Sequence, residues 1–159
     1  MSSQVLSNQV LTDAAVEAFV NLLRIHAGTS RELSADLTAE HGLTINDYEA
    51  LLLLSRAEDH SLRRIDLASR LLLTASGVTR LLDGLEREGY VEKGSCASDA
   101  RVTYAVLTEK GREKLERAQC SHVAAICELF EKRFSPEELA TLTRLLTRLP
   151  GAALACETP

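Results

Sequence analysis

Apolar residues recur every three or four positions along most of the chain and every second position in one short part of it. Val16, Phe19, Val20, Leu23 and Ala27 fall on one helix face, which Leu33 and Leu37 continue, so the spacing predicts a long helix from about Thr12 to Glu40. Gly28 is a candidate bend within it and Gly42 a stop. In LTINDYEALLLLSRAEDH, Thr44 stands three residues before Asp47, a capping-box spacing that places a second helix start at about Ile45. Tyr48, Leu51, Leu52 and Ser55 share a face there, and Leu53 and Leu54 extend the apolar surface around the other side. A helix that is apolar almost all round belongs in the middle of a domain.

SLRRIDLASRLLL follows as a short helix, with Ser61 as N-cap and Ile65, Ala68, Leu71 and Leu72 facing inward. Thr74 is placed to cap the next helix, in which Val78, Leu81, Leu82 and Leu85 complete a core stripe at i, i+3, i+4 and i+7. Two short amphipathic helices joined by a tight turn form a helix-turn-helix. Gly89 ends the second of them, where a left-handed residue costs least. Tyr90 to Lys93 reads as a strand, and Val102, Tyr104 and Val106 alternate with Thr103, Ala105 and Leu107 as another. GSCASDA between them is small and polar, the tip of a hairpin wing.

Thr108 caps a long helix, roughly Glu109 to Arg133, with Leu115, Ala118, His122, Ile126, Leu129 and Phe130 on its inner face. Ser135-Pro136-Glu137-Glu138 combines an N-cap serine, an N1 proline and an N3 glutamate. The helix behind that cap carries Leu139, Leu142, Leu145, Leu146 and Leu149 and is expected to end at Pro150-Gly151, leaving residues 151–159 as a frayed tail.

At 159 residues the chain fits one domain, and a 45% hydrophobic, 4% aromatic composition agrees with a mainly α fold. No run of about 18 apolar residues is present to span a membrane, and MSSQVLSNQVLTD lacks a basic start and an apolar core, so a cytoplasmic protein is expected. Cys96, Cys120, Cys127 and Cys156 form no CxxC pair, and His26, His41, His60 and His122 are scattered. The cysteines are therefore expected to be thiols, Cys120 and Cys127 packed in the core, with no metal or cofactor. The net charge is −5, yet its distribution is uneven. Residues 61–117 hold 11 lysines and arginines against 9 acidic residues, and the rest of the chain 7 against 14. The middle can therefore face a polyanion although the whole is acidic.

A recognition helix exposes short polar and basic side chains near its N-terminus, the end that enters the major groove. Thr74, Ser76, Thr79 and Arg80 supply them here: the hydroxyls can bond several base edges, and arginine can bond guanine O6 and N7 together. Taken singly, each of these residues is equally well read as a cap or a solvated face residue; the preceding helix and the following wing favour base reading. The wing would carry Arg101 and Lys93 to the backbone or the adjacent minor groove.

LTINDYEALLLL, RRIDLASRLLLTASGVTRLLDGLEREGYVEK and SDARVTYAVLTEKGREKL, in that order, resemble the MarR family of bacterial winged helix-turn-helix regulators over about residues 43–115. The resemblance implies a winged lobe at 43–108 and an intertwined homodimer built by residues 1–42 and 109–150. The partner it implies is double-stranded DNA bearing a palindromic operator, with half-sites about 10 bp apart. It also implies that Asp99 orients the basic wing residues and that Arg101 is the wing-tip arginine. Where many members place two adjacent basic residues, this wing has Asp99-Ala100-Arg101.

Members of that family commonly respond to small phenolic or aromatic carboxylates bound between the dimer helices and the lobe. Arg24 could hold such a carboxylate, with His26 beside it and His41 lining the same cleft. The plainer alternatives are an ion pair across the dimer for Arg24 and a loop position for His41. Cys96 at the wing tip is the candidate for redox sensing, although only Arg101 stands near enough to lower its pKa. Two other classes compete. An enzyme is disfavoured because no phosphate-binding glycine loop, nucleophile elbow or paired carboxylate cleft is legible. A winged-helix interaction module or antirepressor without DNA binding stays open, kept so by the acidic net charge.

Overall fold

In the computed structural model, residues 2–95 and 102–150 are described. The expected wing tip with Cys96, Asp99 and Arg101, and the tail at 151–159, lie outside the described residues. Helix α1, Ser2–His41, runs 40 residues and passes Gly28 as continuous helix. It begins well before Thr12, because the opening segment lacks an apolar stripe to betray a helix but also lacks any proline or glycine to stop one.

Helix α2, Ile45–Ser55, starts as the sequence predicts. Thr44 Oγ1 accepts from the Asp47 amide at 3.2 Å and the Asp47 carboxylate accepts from the Thr44 amide at 2.9 Å, so the shorter acid closes a full capping box. Ala50, Leu51 and Leu54 are completely buried, in keeping with a central helix.

The predicted start of the following helix is corrected. Ser61 is not an N-cap: Ser61–Arg63 is strand β1, paired antiparallel with Val106, Ala105 and Tyr104, and α3 spans only Arg64–Arg70. Asp59 and His60, both at positive φ, swing the chain from α2 into this strand. Because the helix begins two residues late, its inward side is Leu67 and Ala68, with Leu71 buried just beyond. Ile65 lies two residues, or about 200° of helix, from Leu67 and is 73% exposed rather than inward. Leu72, also expected inside, falls past the helix end at φ 54 and is 91% exposed.

Helix α4, Ala75–Arg87, buries Val78, Leu82 and Leu85. It ends in a Schellman arrangement: the Tyr90 amide donates to Leu85 and the Gly89 amide to Glu86, with Gly89 at φ 74. Strands β2, Val91–Ser95, and β3, Thr103–Leu107, form the hairpin, and β1 joins its far side to give the order β1-β3-β2. A single core unites α1 through Leu37, α2 through Leu51 and Leu54, α3 through Leu67, α4 through Leu82, and the hairpin through Val91 and Leu107. Each fully buried leucine contributes about 1.5–3 kcal/mol.

Thr108 caps α5, Glu109–Glu131, accepting from the Gly111 amide at 3.0 Å and donating to the Gly89 carbonyl at 2.7 Å. The described residues group into two units that divide between Gln119 and Cys120, within α5. In the second unit α6, Pro136–Leu146, opens on the predicted box of Ser135 and Glu138. It stops at Leu146 rather than at Pro150, because Arg148 and Leu149 bond only three residues back, to Leu145 and Leu146. None of its residues is buried. The expectation that Cys120 and Cys127 pack in the core is also corrected: both are exposed. Cys120 stands two residues from buried Ala118 and from buried His122, hence on the opposite side of the helix. No described helix is long and apolar enough to cross a membrane.

Candidate nucleic-acid interface

The turn between α3 and α4 is built on Leu72. Its left-handed backbone reverses the chain, and the amides of Leu71 and Leu73 bond back to Leu67 and Ala68 at 3.0 and 2.9 Å. Thr74 then caps α4, accepting from the Gly77 amide at 3.1 Å. A β carbon on Gly77 would approach Thr74 Oγ1 to 3.2 Å, so glycine keeps room for that cap.

With Val78, Leu82 and Leu85 turned inward, Ala75, Ser76, Thr79, Arg80, Asp83 and Arg87 are left exposed. The polar residues among the first six are tied locally. Ser76 Oγ shares a hydrogen bond with Thr74 Oγ1 at 3.2 Å, Thr79 Oγ1 donates to the Ala75 carbonyl at 2.8 Å, and Arg80 Nε donates to the Ser76 carbonyl at 3.4 Å. Thr74 is thus a cap first, as the plainer reading had it. Ser76, Thr79 and Arg80 stand together on one solvent face, each with hydrogen-bonding capacity beyond its local bond.

The hairpin is fixed to this helix. Lys93, paired with Ala105 in the ladder, reaches back so that its Nζ lies 2.9 Å from Glu86 Oε2 of α4. Its charge is already partnered. On the other side of the junction, Lys110 Nζ donates to the Glu88 carbonyl at 2.5 Å and lies 5.2 Å from the Tyr90 ring centre. A cation at these last carbonyls also complements the C-terminal pole of α4.

Sequence reasoning missed Arg64. Of the two adjacent arginines that open α3, Arg63 is held bidentately by Asp66, at 2.6 and 3.1 Å. Arg64 is different: its Nη2 is shielded from solvent and has no hydrogen-bond partner. Two clefts meet at it. One, of about 550 Å³, lies between α3 and α4 beside Ala68, Ala75 and Thr79. The other, of about 320 Å³, lies against Val102 and Thr103 at the base of the wing. The dipeptide Arg63-Arg64 carried no sign of which cation would be left over.

The candidate effector residues do not converge within one chain. Arg24 and His26 are two positions apart on α1, about 200° around the helix. His41 lies fifteen residues on from His26, about 22 Å along the axis. His26 Nδ1 lies 3.4 Å from Ser30 Oγ. It also faces Glu49 of α2, whose carboxyl burial raises above its ordinary pKa while the His26 charge pulls it back. His41 Nε2 lies 3.6 Å from Glu40 Oε2. Among the described residues no group of three or more His, Cys, Asp or Glu is arranged to hold a metal ion.

Two helices crossing at a tight turn, a polar helix face beside them and a hairpin braced against that helix define a winged helix-turn-helix lobe. Residues 41–102 match the model of the MarR family. The chain is 34% identical over 136 residues to the uncharacterized HTH-type transcriptional regulator YkoM of Bacillus subtilis, covering 84% of this chain and 86% of that one. Its fold matches AbsC, a MarR family transcriptional regulator from Streptomyces coelicolor, with a TM-score of 0.74 and 33% identity over 84% of this chain and 90% of that one. It also matches Sco3205, a MarR family regulator from the same organism solved in complex with DNA, with a TM-score of 0.75, 29% identity and 90% of each chain covered. The chain belongs to the MarR family of transcriptional regulators.

Proposed function

We propose that the chain is a sequence-specific DNA-binding regulator, a homodimer that represses from a palindromic operator and is released by a small anionic aromatic ligand. The carrying observation is the face of α4 on which Ser76, Thr79 and Arg80 stand exposed opposite the buried Val78, Leu82 and Leu85. That face fits the major groove; Arg101 is the proposed minor-groove contact of the wing and Asp99 its proposed orienting acid, both outside the described residues.

Exposed apolar side chains support the dimer. Val16, Phe19 and Leu23 of α1 are more than half exposed in the single chain, and Leu145 and Leu149 near the other end nearly so. Such a stripe calls for a covering surface, and a second copy supplies a matching one. Because Arg24, His26 and His41 lie apart on one helix, the effector site of the proposal needs surfaces from more than α1 alone. A ligand there shifts DNA binding only as far as it prefers one lobe spacing to another.

The test is a fluorescence anisotropy titration against the intergenic DNA upstream of the chain's own gene, at two salt concentrations, with random duplex as competitor. Specific, salt-dependent binding that benzoate-type acids weaken supports the full reading. Binding insensitive to such acids removes the effector; no binding at all leaves an interaction module instead.

A further inference from the structure

Arg64 is the candidate that the recognition-helix reading does not absorb. We infer that Arg64 is a backbone clamp: its guanidinium binds a phosphodiester of the DNA strand that separates the groove read by α4 from the groove entered by the wing. The inference rests on the DNA-binding reading above and deepens it by naming a contact outside α4 and the wing tip.

The geometry carries it. When one element occupies the major groove and another the adjacent minor groove, the strand between those grooves must pass over whatever surface joins the two elements. Here that surface is the pair of clefts. Thr79 and Ala75 of α4 border one, Val102 and Thr103 at the wing base border the other, and Arg64 lines both. Each is open and too shallow in polar groups to enclose a ligand by itself.

The chemistry agrees. A guanidinium nitrogen withdrawn from water with no acceptor is costly to leave so, and a phosphodiester supplies charged non-bridging oxygens that the planar guanidinium fork can meet. Arg63 is excluded from the same role, since both of its bonds go to the Asp66 carboxylate. Ile65, 73% exposed beside Arg64, gives the clefts an apolar wall of the kind a deoxyribose face tolerates. A phosphate contact fixes register and adds affinity without reading sequence.

The experiment measures the dependence of binding on salt for the whole protein. Wild type, Arg64→Gln, Arg64→Lys and the charge-neutral double variant Arg63→Gln/Asp66→Asn are titrated against the upstream intergenic duplex and a random duplex of equal length. Thermal melts by circular dichroism establish that each variant is folded. The expected result is that Arg64→Gln flattens the log–log salt slope by about 1.8, the value of two released counterions, one from each protomer of the proposed dimer, equally on both duplexes. Arg64→Lys keeps the slope, and the double variant leaves it unchanged.

A wild-type slope in folded Arg64→Gln overturns the inference. So does a loss confined to the intergenic duplex, which would make Arg64 a base reader. Should Arg64→Gln instead abolish calorimetric binding of inorganic phosphate while sparing the slope, the site is one for a small anion and the clamp is wrong. Failure of the wild type to bind any duplex in a salt-dependent way overturns the regulator reading itself, and the clamp with it.

Discussion

Gly111 of α5 rests directly on the backbone of Tyr90: a β carbon built there would sit 2.1 Å from the Tyr90 carbonyl oxygen and 2.8 Å from Leu107 Cδ1. Backbone on one side and a core leucine on the other leave nothing flexible to move aside. Tyr90 is also the residue whose amide closes the end of α4, so this contact fixes the first turn of α5 to the base of the recognition helix. Gly111→Ala is expected to cost about 3 kcal/mol or more, at the upper end of overpacking effects. Urea denaturation checks it, with Gly28→Ala as reference, since a β carbon at Gly28 would meet nothing within 4 Å. Equal midpoints for the two variants would refute the contact.

Arg80 is exposed on α4 and bonded only weakly to its own helix, at 3.4 Å, so its guanidinium can leave for a base at little cost. Arg80→Ala is expected to lose about 1–3 kcal/mol of preference for its operator over random duplex, the worth of a bidentate base contact. Competition anisotropy measures that ratio, and sedimentation confirms the same assembly as wild type. An unchanged ratio would remove Arg80 from base reading.

Lys93 and Arg101 were legible together as basic wing residues, and of the two only Lys93 is among the described residues. Lys93 Nζ lies 2.9 Å from Glu86, so its charge is partly offset before any DNA arrives. Lys93→Ala is expected to leave the salt slope nearly unchanged and to alter stability by less than about 1 kcal/mol, as exposed pairs do. Arg101→Ala is expected to weaken binding to every sequence alike and flatten the slope by about 1.8, one contact from each protomer. Reversed slopes in the two variants would show that the Glu86 pair opens on DNA and that Lys93 is the true wing contact.

His122 is 6% exposed, and burial pushes its pKa below the ordinary histidine value of 6.5. The folded state therefore favours the neutral ring, while the unfolded chain takes up a proton near pH 6.5. Stability from this site is complete above that pH and declines as pH falls below it, until the folded-state pKa is reached. Urea midpoints measured from pH 7.5 to pH 5.5 should fall more steeply for wild type than for His122→Gln. Parallel profiles would mean that His122 protonates in place without penalty.

What was legible in the sequence had local causes. The Thr44–Asp47 and Ser135–Glu138 boxes, the Val78–Leu82–Leu85 stripe and the Gly89 stop each depend on neighbours within a few residues, and all four stand as predicted. What was not legible had distant causes. Strand β1 has too few residues to show alternation; it exists because Leu62 finds Ala105 more than forty positions away. That pairing delays α3, and the delay turns Ile65 outward and puts Leu72 into the turn. Arg64 was hidden for a similar reason, since only the folded chain shows that Asp66 takes Arg63 and leaves its neighbour.

Phe19 is 61% exposed on α1, with Val16 at 56% one turn before it and Leu23 at 54% one turn after. Residues three and four apart stack along one helix face, so the three form a continuous apolar ridge rather than scattered surface residues. The buried part of α1 begins farther along, at Leu37, and the ridge is therefore not the face that anchors α1 to α2. Under the homodimer proposal this ridge is interface. Phe19→Arg places a charge where an aromatic anchor would be desolvated, and should raise the dimer dissociation constant roughly 30-fold or more, the factor that about 2 kcal/mol represents. Sedimentation velocity over a dilution series reads that directly, and the melting temperature should become less dependent on protein concentration than in wild type as the folded monomer takes over. The core, from Leu37 to Ala118, does not include Phe19. A monomeric variant with an intact helical spectrum would therefore place the ridge at the interface, whereas an unaltered dimer would show that the ridge faces solvent and that some other surface joins the two chains.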